Sequence, residues 1–251
     1  MGALILAEAT KFLTTMPVWI LAVATVALQL PLAWVNAASG VGVPADSPLL
    51  YSSVPVPLAY QGFEMADLGY VIVVSLAALW AGSEYTRGKQ IRTTLLATPQ
   101  RARVFIVQAG LLTAFTAVLA FVTMTGTIMI NHAAGLTGVD PLLLTPLIWA
   151  NIGGVTLSWT LTSLIAFALG VIARSAILPL MLLVPLIVGL GSFLAGVWGG
   201  ARFLPTAAGA AMYGDPGLGV YLPPVLGGVV QAGWAAALIL IAGACFVRRD
   251  A

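Results

Sequence analysis

The feature that most limits what this chain can become is the recurrence of long stretches with almost no charge. Six of them, at roughly 17–36, 63–82, 104–131, 146–172, 176–199 and 223–246, each approach the 20 or so apolar residues that a helix needs to cross a bilayer. Hydrophobic residues make up 61% of the chain and charged residues only 7%, where a soluble domain carries roughly 25% charged residues. No soluble interior hides that much apolar surface, so the expected solvent is lipid. The sequence therefore predicts an all-α membrane protein, one polytopic domain over 1–251 with six transmembrane helices.

The net charge of +2 says little about partners, but its distribution does. With both termini inside, Lys11, Arg87, Lys89, Arg92, Arg101, Arg103, Arg174, Arg248 and Arg249 all fall on the cytoplasmic side and only Arg202 falls outside. The inverted topology would export nine basic residues, against the positive-inside bias. The expected location is the plasma membrane. Glu8 and Lys11 interrupt the first residues, so no cleavable signal peptide is expected. The lone Cys245 lies in the last stretch and reads as a core-facing thiol.

Residues 1–16 are too short and too polar to span and read as an interfacial helix. Leu4, Ile5, Phe12 and Leu13 share its apolar face, with Glu8 and Lys11 paired at i,i+3 away from it. The outer loop 37–62 holds Pro44, Pro48, Pro55 and Pro57, which oppose regular helix. The outer segment 200–222 is too rich in small residues to span. It is expected as a short outer helix or a half-re-entrant hairpin.

One charged island, residues 84–103, holds five of the ten Lys and Arg residues. Glu84 closes the second span where a carboxylate can first reach water, and Gly88 breaks the helix line. Gln90 to Ala97 can form two amphipathic turns, with Ile91, Leu95 and Leu96 apolar and Arg87, Lys89 and Arg92 facing water or a partner. Thr98 and Pro99 suit the N-cap and first position of the third span. A plain connector that only fixes topology fits the same residues. The Gly82–Gln90 run imitates a phosphate loop, but its spacer is one residue too long, Gln90 stands where a hydroxyl should hold magnesium, and no strand precedes it.

The run from Gly82 to Arg103 resembles the cytoplasmic loop of bacterial type-2 ABC exporter permeases. The resemblance rests on Glu84-Tyr85, Arg87-Gly88, Arg92-Thr93-Thr94-Leu95-Leu96 and Pro99-Gln100-Arg101-Ala102-Arg103. Glu8 to Thr15 and Leu204 to Gly209 also look like segments of that family. The resemblance implies a dimeric permease core, with a second copy or a paralogue as partner, driven by two separate cytoplasmic ATPase subunits that bind ATP and magnesium. It implies a coupling helix between helices two and three, with Glu84, Arg87, Gly88, Ile91, Arg92, Leu95 and Leu96 contacting the ATPase. The chain itself would hold no cofactor.

No charged residue lies near the middle of a predicted span, whereas ion-coupled transporters keep one there. Energy is then expected from a partner, although a passive channel also fits. Thr113, Ala120, Thr123, Thr127 and Asn131 share one face of the third span, and Asn151, Ser158 and Thr162 one face of the fourth. These faces can pack helices or line a substrate path. His132 is expected as an interfacial polar residue at the outer end of the third span. No catalytic set, metal cluster or nucleic-acid partner is expected. The apolar spans with their seven tryptophans suit an amphiphilic or hydrophobic cargo. The leading expectation is an ATP-driven exporter subunit. The alternatives are a passive or secondary transporter acting alone, and a membrane scaffold recruiting a soluble partner through its basic loop.

Overall fold

The computed structural model of the protein describes residues 2–39, 57–85, 94, 100–134, 140–142, 144–216 and 222–248. It is helical, with no strand among the described residues. Helix α1 (Gly2–Thr14) precedes α2 (Met16–Ser39), and two short 3-10 turns, Leu58–Tyr60 and Phe63–Met65, lead into α3 (Ala66–Ser83). The long α4 (Arg101–Ala134) and α5 (Pro146–Ala173) follow. Then come α6 (Ile177–Pro185), α7 (Gly191–Val197), the short α8 (Pro205–Ala210) and α9 (Pro224–Arg248). Six helical stretches are long and apolar enough to cross a membrane: Met16–Ala38, Leu58–Ser83, Arg101–Ala134, Pro146–Ala173, Ile177–Val197 and Pro224–Arg248. Helices satisfy every internal backbone group within the segment, which is why such sequences settle on them in lipid.

Helix α5 is the hub and the most buried span. It packs against α3, α4 and α9, while α2 lies on α3 and α4. Its start is set by Thr145, whose hydroxyl accepts from the Ile148 N–H at 3.4 Å, with Pro146 in the first turn. Its end is set by Arg174, which takes a left-handed conformation (φ 54°) and turns the chain sharply into α6. The α2 span and the α6–α7 span are by contrast largely exposed, as lipid-facing helices should be.

The fifth span is one crossing broken in its middle. Pro185 has no N–H to give the ladder, and a π turn (Leu186–Leu190) joins α6 to α7. Gly189 within it has φ +134°, a conformation that residues with a Cβ rarely adopt. The described part of the outer segment, residues 200–216, takes a definite form. A 3-10 turn (Gly199–Phe203) is followed by α8, whose Pro205, Thr206, Ala208 and Gly209 are buried between α5 and α9.

Lys11, Glu84, Arg174, the start of α4 and the end of α9 gather at one end of the bundle. Lys11 pairs with Glu84, Arg174 lies 5.9 Å from the Tyr85 ring, and Phe105 near the start of α4 sits 5.7 Å from Phe246 near the end of α9. Arg101, Arg103 and Arg248 belong to those same helix termini. This is the basic end of the molecule, and the other is the far end.

Candidate functional site

The most unusual chemistry lies at the basic end. Helix α1 does not keep its charges away from its packed face, as expected. Glu8 is buried at 3% exposure, along with Phe12, while Ile5 and Leu13 point outward. The physical reason is a partner. Lys11 is held by Glu8 at 3.1 Å and by Glu84, which arrives from the end of α3. Glu84 is not at the water boundary either; it is 2% exposed. Gln108, on α4, donates its amide to Glu8 at 3.0 Å and to Glu84 at 3.5 Å. The Lys11 ammonium also lies 5.3 Å from the centre of the Trp80 ring. Phe12 closes the cluster from the apolar side, edge-on to Trp80 at 4.7 Å and to Phe115 at 5.1 Å.

This clasp joins three elements that are distant in sequence: α1, the last turn of α3, and the second turn of α4. It sets one amine against two carboxylates. Among the described residues one oxygen of Glu84 has no hydrogen-bond donor. Burial pushes the Glu84 carboxyl above the usual carboxylate range, and the nearby Lys11 draws it back only in part. Arg87, Gly88, Ile91, Arg92, Leu95 and Leu96, the expected contacts of the charged island, lie outside the described residues.

A second polar cluster lies inside the bundle. The Tyr70 hydroxyl on α3 meets the Thr162 hydroxyl at 2.5 Å and receives a hydrogen bond from Ser158 at 3.3 Å. Gln231, on α9, donates to Thr162 Oγ1 at 2.8 Å, to the Ser158 carbonyl at 3.2 Å and to Ser158 Oγ at 3.3 Å. Trp159 stacks on the Tyr70 ring. Helix α8 caps this cluster: a Cβ on Gly209 would fall 2.4 Å from Ser158 Oγ and 2.5 Å from Gln231 Nε2. Only a residue without a side chain lets α8 sit that deep.

The other candidates from the sequence do not join one site. Thr113 is half-buried and returns its hydroxyl to the Ala109 carbonyl at 2.7 Å. Thr123 is buried, and Thr127 donates to its carbonyl at 2.8 Å. Asn131 is buried at the far end against Gly62. Asn151 donates to the Ala59 carbonyl at 2.9 Å and so pins the 3-10 turn before α3. His132, near the end of α4, is buried at 2% exposure. Of the set, the structure brings Ser158 and Thr162 together, in contact with two residues not singled out from sequence, Tyr70 and Gln231. Glu8, Lys11 and Gln108 were likewise missed as site residues. Of these, Gln108 was legible as a lone polar residue within an apolar run, which in lipid needs a partner; Glu8 and Lys11 already had each other at i,i+3.

No protein-family model matches this chain, and no curated protein matches it.

Proposed function

We propose that this chain is the membrane-embedded subunit of an ATP-driven exporter. Two ATPase subunits on the basic face would drive it, and a second permease chain would complete the pathway. The basic end is then the cytoplasmic one, by the positive-inside bias. The observation that carries the reading is the buried clasp at the two roots of the charged island. The segment leaves α3 at Glu84 and re-enters α4 at Arg101, and Glu84 is tied to α1 and to Gln108 of α4. A push on that segment from a partner therefore acts on three helices at once rather than being absorbed by a slack connector. The direction of transport and the pairing with ATP hydrolysis rest on the resemblance of residues 82–103 to type-2 ABC exporter permeases.

In this mechanism nucleotide closure of the partner displaces the coupling segment, and α3 and α4 carry the displacement across the bilayer. The fifth span is broken in its middle, where a π turn, Pro185 and Gly189 permit bending. The spans are apolar, so an amphiphilic or hydrophobic cargo suits them. The deciding experiment is reconstitution of the chain alone and together with any ATPase found to copurify with it. Flux that requires ATP and the ATPase supports the proposal. Gradient-driven flux by the chain alone would replace it with a passive or secondary transporter. Nucleotide-insensitive partner binding without flux would replace it with a scaffold.

A further inference from the structure

Glu64 and Asp67 sit one turn apart at the far end of α3, yet their surroundings differ. Glu64 accepts from Asn36 Nδ2 at 3.1 Å and from the Gly62 N–H at 2.8 Å. Asp67 is exposed, and among the described residues it has neither an ion-pair nor a hydrogen-bond partner. Helix α3 is covered by α5, by α2, by α4 and by α6 with the π turn, while α2 and α6 make no comparable contact with each other. What stays open on α3 is a narrow stripe. Asp67 and Leu68 stand at its top, Val71 and Ser75 are half-buried below, and Leu79 is exposed near its foot. From position 67 to position 79 an α-helix rises about 18 Å. A carboxylate on a surface that meets lipid is costly unless a cation joins it.

We propose that this stripe binds cationic amphiphiles, with Asp67 taking the cationic head towards the far end of the bundle and the apolar stripe taking the tail. The inference names a substrate class for the exporter reading above and rests on it for the step of transport, but not for the step of binding. The charge sign comes from Asp67 and the tail from the length and apolar character of the stripe below it.

The test needs no ATPase. The purified chain in phosphatidylcholine nanodiscs is titrated with diphenylhexatriene carrying a trimethylammonium head, and with the same fluorophore carrying a propionate head. Energy transfer from the chain's tryptophans is followed, with empty nanodiscs subtracted. Expected is saturable transfer for the cationic probe only, with half-saturation raised at least about tenfold in Asp67→Asn and close to wild type in Asp67→Glu. Equal behaviour of the two probes in the wild type would overturn the proposal, as would an unchanged titration in Asp67→Asn. Absence of saturable transfer would also overturn it, since abundant lipid choline would then be outcompeting the cation. ATP-driven flux of a neutral amphiphile together with a failed titration would sink this inference and leave the exporter reading standing. A positive titration with no ATP-dependent flux would do the reverse.

Discussion

Lys11, on the short amino-terminal helix, pairs with Glu84, the residue that closes α3, and also with Glu8, while Gln108 donates to both carboxylates. The arrangement is asymmetric, because one amine serves two buried carboxylates. That asymmetry makes the consequences of substitution unequal.

Lys11→Met leaves Glu8 and Glu84 buried with no counter-charge and is expected to cost about 3–5 kcal/mol. Glu84→Gln leaves Lys11 paired with Glu8 and is expected to cost far less, about 1 kcal/mol. Thermal unfolding of the detergent-solubilised chain measures both. In the double variant the cost should fall well below that of Lys11→Met alone; full additivity would show that the two residues do not interact.

The same cluster gives stability a pH dependence. Burial raises the Glu84 carboxyl above the unfolded value of 4.5, so its protonated form is favoured in the folded chain. The stabilisation this brings is complete below the unfolded value and is lost as pH rises through the folded one. The melting temperature should therefore decline as pH climbs from about 4.5 towards neutrality. Glu84→Gln should flatten that part of the profile, and Lys11→Met should move it to higher pH. An identical profile in wild type and Glu84→Gln would contradict the assignment.

Gly209→Val would drive a side chain into Ser158 and Gln231 and lift α8 from its seat, at a cost of about 1–3 kcal/mol. Gln231→Leu removes donors to Thr162 and Ser158 and is expected to cost about 1–2 kcal/mol. The two act on one contact, so their effects should be less than additive. Unfolding of the single and double variants decides it.

Arg92→Glu and Leu95→Asp test the coupling role of the charged island. Each should leave membrane insertion intact while lowering transport per ATP hydrolysed by at least about tenfold. Unchanged copurification and unchanged ATPase stimulation in both variants would count against that role.

Much of the architecture was readable before any coordinates. The spans at Pro146–Ala173 and Pro224–Arg248 fall within about two residues of their expected limits, because an apolar run of membrane length has one outcome in lipid. The site was less readable. Glu8 and Lys11 satisfy a helical pairing rule that places them on a wet face, and nothing local contradicts it. Only the arrival of Glu84 and Gln108 from other helices makes burial of both tolerable. Tyr70 and Gln231 similarly lack any periodic signal, since a single buried hydrogen-bonding side chain leaves no pattern in its own segment. The fold of 200–222 was open between two forms because composition fixes that it cannot span, but not how deep it docks.

The amino-acid sequence by itself determined the six helices long and apolar enough to cross a membrane and the concentration of basic residues at one end of the bundle, since transfer of charge into hydrocarbon is costly whatever the tertiary arrangement. Tertiary structure alone decided that α1 is pinned to the root of the charged island, that α8 seats on Ser158, and that Asp67 stays open while Glu64 is satisfied. Those outcomes depend on which polar groups meet across helices. In a low-dielectric interior the energy of a polar group is set by its partner rather than by its own position in the chain.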